Sequence, residues 1–164
     1  MNRLYWIDEF QPGKLALAAR PRGGDWLPDE IADWKRFGIS AVVSLLTSEE
    51  ERDLQLSAES QEARSQGLEF VSFPILDREI PPSEAELAQL VETIDQKLSS
   101  GEKVLVHCRQ GVGRSGLVAA CLLVKKGMSP GTAVEKVSYA RGVSVPETPQ
   151  QREWVDHFAA AFTK

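Results

Sequence analysis

The segment Val104-Leu105-Val106-His107-Cys108-Arg109-Gln110-Gly111-Val112-Gly113-Arg114-Ser115-Gly116 reads as a strand, a glycine-rich loop and a helix start in immediate succession. Such a junction can hold an anion. Successive backbone N–H groups of the loop can turn inward, and the helix behind them presents unpaired N–H groups and the positive end of its dipole. Gly111, Gly113 and Gly116 permit the backbone angles and close approach this requires. Gln110, Gly111, Val112 and Gly113 are therefore candidate binding positions, and Arg109 adds positive charge beside them. A cysteine at the mouth of this nest is easily ionised, because cations and helix N-termini stabilise a thiolate, and the thiolate is the competent nucleophile. Arg114 stands six residues after Cys108, so a loop curled round one phosphoryl group places its guanidinium opposite the sulfur. Its planar fork can hold two phosphoryl oxygens and follow them into the transition state. Ser115 can donate a hydrogen bond to the sulfur and improve it as a leaving group.

The rest of the chain must position that loop. Its 164 residues, 42% hydrophobic and 26% charged, suit one compact globular domain over 1–164. Lys and Arg number 19 against 24 Asp and Glu, with no long block of one sign, so an anion site must be local and no nucleic-acid partner is expected. Met1 to Phe10 carries Arg3, Asp8 and Glu9 and lacks the apolar core of a signal peptide. No run approaches the roughly 18 apolar residues of a membrane span. The expectation is a soluble, cytoplasmic monomer without stable membrane association. Two cysteines are too few for a disulfide framework or a four-thiolate metal site, and no His, Asp or Glu cluster has ligand spacing, so neither metal nor cofactor is expected.

Leu4 to Ile7 and Leu15 to Ala18 are short apolar runs around the turn Gln11-Pro12-Gly13-Lys14 and predict two strands. Pro28, Ile31, Trp34 and Phe37 have helical spacing, stopped by Gly38. Ala41 to Leu46 is a continuous apolar run, as in a strand buried on both faces. Thr47 or Ser48 with Glu50 or Glu51 can start a helix, and the acidic, Gln-rich segment to Gly67 reads as mostly exposed. Leu68 to Phe73 alternates as a strand, and Pro74 to Pro82 is irregular and carries Asp77 and Glu79. Ser83 caps a helix with the stripe Leu87, Leu90, Val91, Ile94 and Leu98, ended by Gly101. Lys103 to Val106 is a strand, 111–115 a turn and Leu117 to Lys126 an apolar helix, with two further helices near 130–140 and 148–162. Strands alternating with helices predict an α/β fold with a central, mostly parallel sheet of about four to five strands flanked by helices.

His107-Cys108, five intervening residues and then Arg114-Ser115 resembles the signature of the protein tyrosine and dual-specificity phosphatases. The resemblance implies a protein tyrosine phosphatase-like fold and a phosphocysteine intermediate formed without metal. Such chemistry needs a general acid to protonate the leaving oxygen. Asp77, in Phe73-Pro74-Ile75-Leu76-Asp77-Arg78-Glu79, stands in a loop similar to the acid loop of small dual-specificity phosphatases, with Glu79 as the rival. Trp6 with Pro12 to Ala16, the strand Ala41 to Leu45 and Val145 to Gln151 are similar to parts of the small atypical dual-specificity phosphatases and the kinase-associated phosphatase. This implies supporting roles for Glu147 and Gln151 in placing the hydrolytic water. His107 reads as a residue that orders the loop and supports the thiolate, and Cys121 as a buried small side chain or a redox partner of Cys108.

The implied activity is hydrolysis of phosphoproteins, at phosphotyrosine and also phosphoserine or phosphothreonine. Two alternatives remain open: a phosphoinositide phosphatase, or a phosphate-recognising binding module without turnover. Phosphoinositide enzymes of the superfamily usually carry a second basic residue further along the loop, where this chain has Val112. A binding module should lack part of the catalytic set, and Cys108, Arg114 and Asp77 are all present.

Overall fold

A computed structural model of the chain describes residues 3–162. Met1, Asn2, Thr163 and Lys164, at the two ends of the span read as one domain, lie outside the described residues. The opening apolar runs pair antiparallel as β1 (Tyr5–Ile7) and β2 (Lys14–Ala19). With β3 (Ile39–Ser44), β4 (Glu69–Ser72) and β5 (Lys103–Cys108) they form a five-stranded sheet of order β1-β2-β5-β3-β4, parallel everywhere except β1 with β2.

β5 is central because both of its faces are apolar enough to be covered. Val104, Val106 and Cys108 join Leu15, Leu17, Ala41 and Val43 in one layer, and Leu105 joins Ala16, Ala18 and Val42 in the other. The period of two along a strand thus sends His107 to the face opposite Cys108, where its ring lies 5.9 Å from that of Trp34. α1 (Leu27–Arg36) and α3 (Glu59–Ser65) cover that second face through Leu27, Ile31, Trp34 and Ala63. α2 (Ser48–Asp53) sits just beyond the carboxyl end of β3.

The first face is covered by α4 (Glu84–Ser99), α5 (Gly113–Lys125), α6 (Pro130–Arg141) and α7 (Pro149–Phe162). α5 is buried from Gly113 to Val124, as a helix apolar on all sides must be, and it packs against α4, α6 and α7. The site is therefore built on the most enclosed strand and the most enclosed helix of the fold. In such a core, truncating one leucine to alanine costs about 2–5 kcal/mol.

Two elements differ from the sequence reading. The loop is shorter than expected: β5 runs on to Cys108, opposite Ala19 of β2, and α5 already begins at Gly113. Arg114 and Ser115 therefore belong to the first turn of a helix and not to a turn spanning 111–115. The segment to Gly67 is mostly exposed, as expected, but two of its acids are not. It forms α2 and α3 and buries Glu50 and Glu59, because each carboxylate has a partner on β5 or α5 that composition does not reveal.

Candidate active site

Cys108 ends the central strand, 3% exposed, and its Sγ accepts a hydrogen bond from the Gly111 N–H at 3.3 Å. The backbone can fold back over its own sulfur this way because Gly111 has φ +73°. A Cβ at Gly111 would lie 2.6 Å from the carbonyl of Ala18, which closes that position to larger residues, whereas one at Gly113 would meet the Glu147 side chain at 3.0 Å and require it to shift. Arg109 and Gln110 are exposed at the mouth, and Val112 is half-buried. Ser115 is buried in the first turn of α5 and its Oγ has no hydrogen-bond partner.

Arg114 is 1% exposed and held on nearly every side. Its Nη1 donates to Glu50 Oε1 at 2.7 Å and to the Ile75 carbonyl at 2.8 Å, while Nη2 donates to Glu50 Oε2 at 2.9 Å and to Asp77 Oδ1 at 3.1 Å. Burial opposes the charge of Arg114, but the Glu50 bonds and the charges of Cys108, Glu50 and Asp77 outweigh it and hold the guanidinium above its ordinary value. Burial likewise pushes Glu50 up, yet its bonds to Arg114 and Thr47 leave it below the ordinary carboxylate range. A folded-state value below the unfolded one means that the Glu50 contribution is present above the unfolded value and is lost as pH falls through the folded one.

Glu50 reaches this position because Thr47 and Glu50 form a reciprocal capping box, Thr47 Oγ1 accepting from the Glu50 N–H at 3.2 Å and Glu50 Oε1 accepting from the Thr47 N–H at 3.1 Å. The capping pair was legible in the sequence, but the partnership with Arg114 was not, since the two residues are 64 apart. Two more residues escaped the sequence reading. Glu59, fully buried, contacts His107 Nε2 through Oε2 at 2.6 Å, and Arg141 of α6 binds the carbonyls of Gln110 and Gly111. A buried carboxylate inside a polar stretch gives no sequence signal, and Arg141 reads as an ordinary C-terminal helix charge.

A cavity of about 130 Å³ is lined by Asp77, Arg78, Cys108, Gln110, Gly113, Arg114 and Glu147. A hollow of about 480 Å³ between β4 and α4 is larger but contains neither a thiol nor an arginine. Asp77 thus shares a cavity with Cys108, while Glu79 is exposed on the same loop and contributes its backbone: its carbonyl accepts from Gln151 Nε2 at 3.1 Å. The Gln151 Oε1 accepts the N–H groups of Glu147 and Thr148 at 3.0 and 3.1 Å, and Glu147 Oε2 pairs with Arg78 at 3.3 Å. Cys121 is fully buried in α5, and burial pushes its thiol up.

The geometry has counterparts among known proteins. Residues 1–160 match the family model described as Swiss Army Knife protein, DSP-PTPase phosphatase domain. The chain is 29% identical over 133 residues to the tyrosine phosphatase homologue 197R of Invertebrate iridescent virus 6, covering 79% of this chain and 46% of that protein. It is 28% identical over 154 residues to the phosphatidylglycerophosphate phosphatase PTPMT2 of Arabidopsis thaliana, covering 93% and 61%. The chain thus spans about half the length of these curated relatives. The crystal structure of kinase-associated phosphatase, with serine in place of its catalytic-site cysteine, superposes with a TM-score of 0.90 at 23% identity over 98% of this chain and 96% of that one, which shows the shared fold. Among the described residues no helix is long and apolar enough to cross a membrane. With a cysteine-ended central strand, a glycine loop running into a buried arginine and a family match along nearly its whole length, the chain belongs to the DSP-PTPase phosphatase-domain family.

Proposed function

We propose that the chain hydrolyses phosphomonoesters on phosphoproteins, at phosphotyrosine and also at phosphoserine or phosphothreonine, with residues 1–164 acting as one monomeric cytoplasmic domain. The observation that carries the reading is the cavity shared by Cys108, Arg114 and Asp77. In the first step the Cys108 thiolate attacks phosphorus, the P–O bond to the alcohol or phenol breaks, and Asp77 gives its proton to the departing oxygen. The backbone N–H groups of 109–113 and the Arg114 fork carry the charge on the equatorial oxygens. Four N–H groups of Arg114 are already engaged. Its Nε–H, and the Nη2 proton now given to Asp77, are the pair left to face the phosphoryl group, so an arriving substrate displaces Asp77 from Arg114 and frees it for the leaving group.

In the second step water attacks the phosphocysteine, Asp77 takes its proton, and inorganic phosphate and the thiolate are released. The unpartnered Ser115 hydroxyl is free to donate to the departing sulfur. His107, braced by Glu59, supports the strand end that carries Cys108. Glu147 lines the cavity where the hydrolytic water must pass, while Gln151 acts by tying the acid loop to the start of α7.

Asp77→Asn is expected to remove the alkaline limb of the turnover profile and to cost about 10²–10⁴-fold with phenyl phosphate, the loss shrinking with a better leaving group. Glu79→Gln should keep that limb, because Glu79 contributes its backbone and not its carboxylate to the cavity wall. The reverse pattern would move the acid to Glu79.

A phospholipid substrate is the second reading, supported by the likeness to a phosphatidylglycerophosphate phosphatase over 93% of the chain and by Leu76, 68% exposed on the acid loop beside the cavity. The absence of a second loop cation at Val112 favours protein. Purified protein assayed against a panel of phosphopeptides and vesicles of phosphoinositide or phosphatidylglycerophosphate decides between them. At least about tenfold higher kcat/KM on phosphopeptides is expected, and the opposite ranking would overturn the protein assignment.

A further inference from the structure

Arg141 ends α6, outside the cavity, and nothing in the two-step chemistry uses it. Its guanidinium is nonetheless committed to the phosphate loop. Nε donates to the Gly111 carbonyl at 2.9 Å and Nη2 to the Gln110 carbonyl at 3.0 Å, and the same guanidinium lies 4.0 Å from the ring centre of Tyr5 on β1. A loop that turns its N–H groups inward must turn its carbonyls outward, and outward carbonyls need partners. Arg141 supplies both partners from one rigid, charged fork.

The Gln110 carbonyl and the Gly111 N–H are the two ends of a single peptide unit. That N–H is the one that donates to Cys108 Sγ at 3.3 Å. Arg141, the peptide and the sulfur therefore form one chain of aligned dipoles, guanidinium to carbonyl and N–H to thiolate, and hydrogen bonds in such a chain strengthen one another. The second bond does the same for the next peptide, whose N–H belongs to Val112 and points away from the Gly111 carbonyl.

We propose that Arg141 is a positioning residue for this phosphatase, locking the peptides 110–111 and 111–112 so that their N–H groups address the Cys108 thiolate and the bound phosphoryl group. It acts through the backbone and touches neither substrate nor sulfur. The proposal rests on Cys108 as the nucleophile but not on which phosphoester is the natural substrate. Other charges also face Cys108: Arg114 from α5, Asp77 and Arg78 from the acid loop, Glu147 before α7, exposed Arg109, and Glu50 behind Arg114. The His107–Glu59 pair lies across the sheet. Arg141 differs from all of these in reaching the sulfur through a named peptide.

The test uses Arg141→Ala and Arg141→Lys with three readouts: alkylation of Cys108 by iodoacetamide against pH, inhibition by vanadate, and turnover of an aryl phosphate with and without added guanidinium. Cys121 is buried and does not interfere with the alkylation. In Arg141→Ala the alkylation midpoint should rise by about 0.5–1 pH unit, which is about 3–10-fold less thiolate below the midpoint. Vanadate inhibition should weaken about tenfold, and turnover should recover several-fold with guanidinium at concentrations well below denaturing, but not with an equal concentration of sodium chloride. Arg141→Lys should fall between wild type and alanine, since a point charge can serve one carbonyl but not both. An unchanged alkylation midpoint and vanadate affinity, with only the melting temperature lowered, would overturn the proposal and leave Arg141 a packing residue. If the alanine variant does not fold, the lysine variant and native Arg141 carry the test. Slow exchange of the Arg141 Nε proton is expected, and exchange at the rate of a free arginine would also overturn it. A chain with no measurable turnover on any phosphoester would count against the enzymatic reading alone, because alkylation and vanadate binding would still report on the loop.

Discussion

Cys108→Ser is expected to lower turnover of an aryl phosphate by on the order of 10⁴–10⁶-fold while leaving the binding of inorganic phosphate largely intact. The asymmetry follows from where the two functions reside. Nucleophilicity depends on ionisation of the side chain at this one position, and a serine hydroxyl does not ionise in the range where a thiol does. In the proposed mechanism anion binding resides in the loop N–H groups and in Arg114, and the serine leaves these in place because its hydroxyl can accept the Gly111 N–H as the sulfur does, while Arg114 keeps its Glu50 bonds. Calorimetry with phosphate and a steady-state assay on the same preparation measure the two separately. Turnover near wild type in the serine variant would remove Cys108 from the mechanism. Loss of phosphate binding together with turnover would mean that the loop had collapsed.

Arg114→Lys is expected to lower kcat/KM by at least about 10²–10³-fold and to lower the melting temperature as well. Lysine keeps the positive charge, but a single ammonium cannot reach both Glu50 oxygens, the Ile75 carbonyl and a phosphoryl group from one point. The catalytic loss comes from the transition-state oxygens that lose a donor. The stability loss comes from Glu50, which is left only partly paired in a buried position. Breaking such a pair costs about 3–5 kcal/mol, on the order of 10 °C for a chain of this size. Enzyme kinetics and thermal unfolding would be measured together. A twofold kinetic effect would place Arg114 away from the phosphoryl group, and an unchanged melting temperature would show that the Glu50 pair adds no net stability.

The candidate site was legible in the sequence to the extent that it depends on neighbours in the chain. The order His107, Cys108, glycine loop, Arg114 is local, so residue types and spacing were enough to predict an anion nest with a thiolate at its mouth. Alternation between strand and helix patterns predicted the mostly parallel sheet, and the apolar run 117–124 predicted the core helix that became α5. Local rules also explain the errors. The turn expected at 111–115 proved to be two loop residues, Gly111 and Val112, and a helix start at Gly113, because glycine frequency marks permissive backbone but not where helical hydrogen bonding begins.

Only the tertiary structure decided which distant groups restrain that loop. Glu50 on Arg114 spans 64 positions, Glu59 on His107 spans 48, and Arg141 on the loop carbonyls spans 30 and 31. Each is a charged residue that composition assigns to solvent, because Glu and Arg are rarely buried. What brings the two carboxylates inside is a cationic or imidazole partner on another element, and what draws the half-buried Arg141 onto the loop is a pair of outward carbonyls; neither kind of partnership leaves a trace in the local pattern. The sequence by itself determined the junction of strand, glycine loop and helix from Cys108 to Arg114 and the sheet that carries it. The tertiary structure alone set the orientation of Arg114, the bracing of His107 and the partners of the loop carbonyls, because those depend on which charged side chains from distant elements meet across the packed layers.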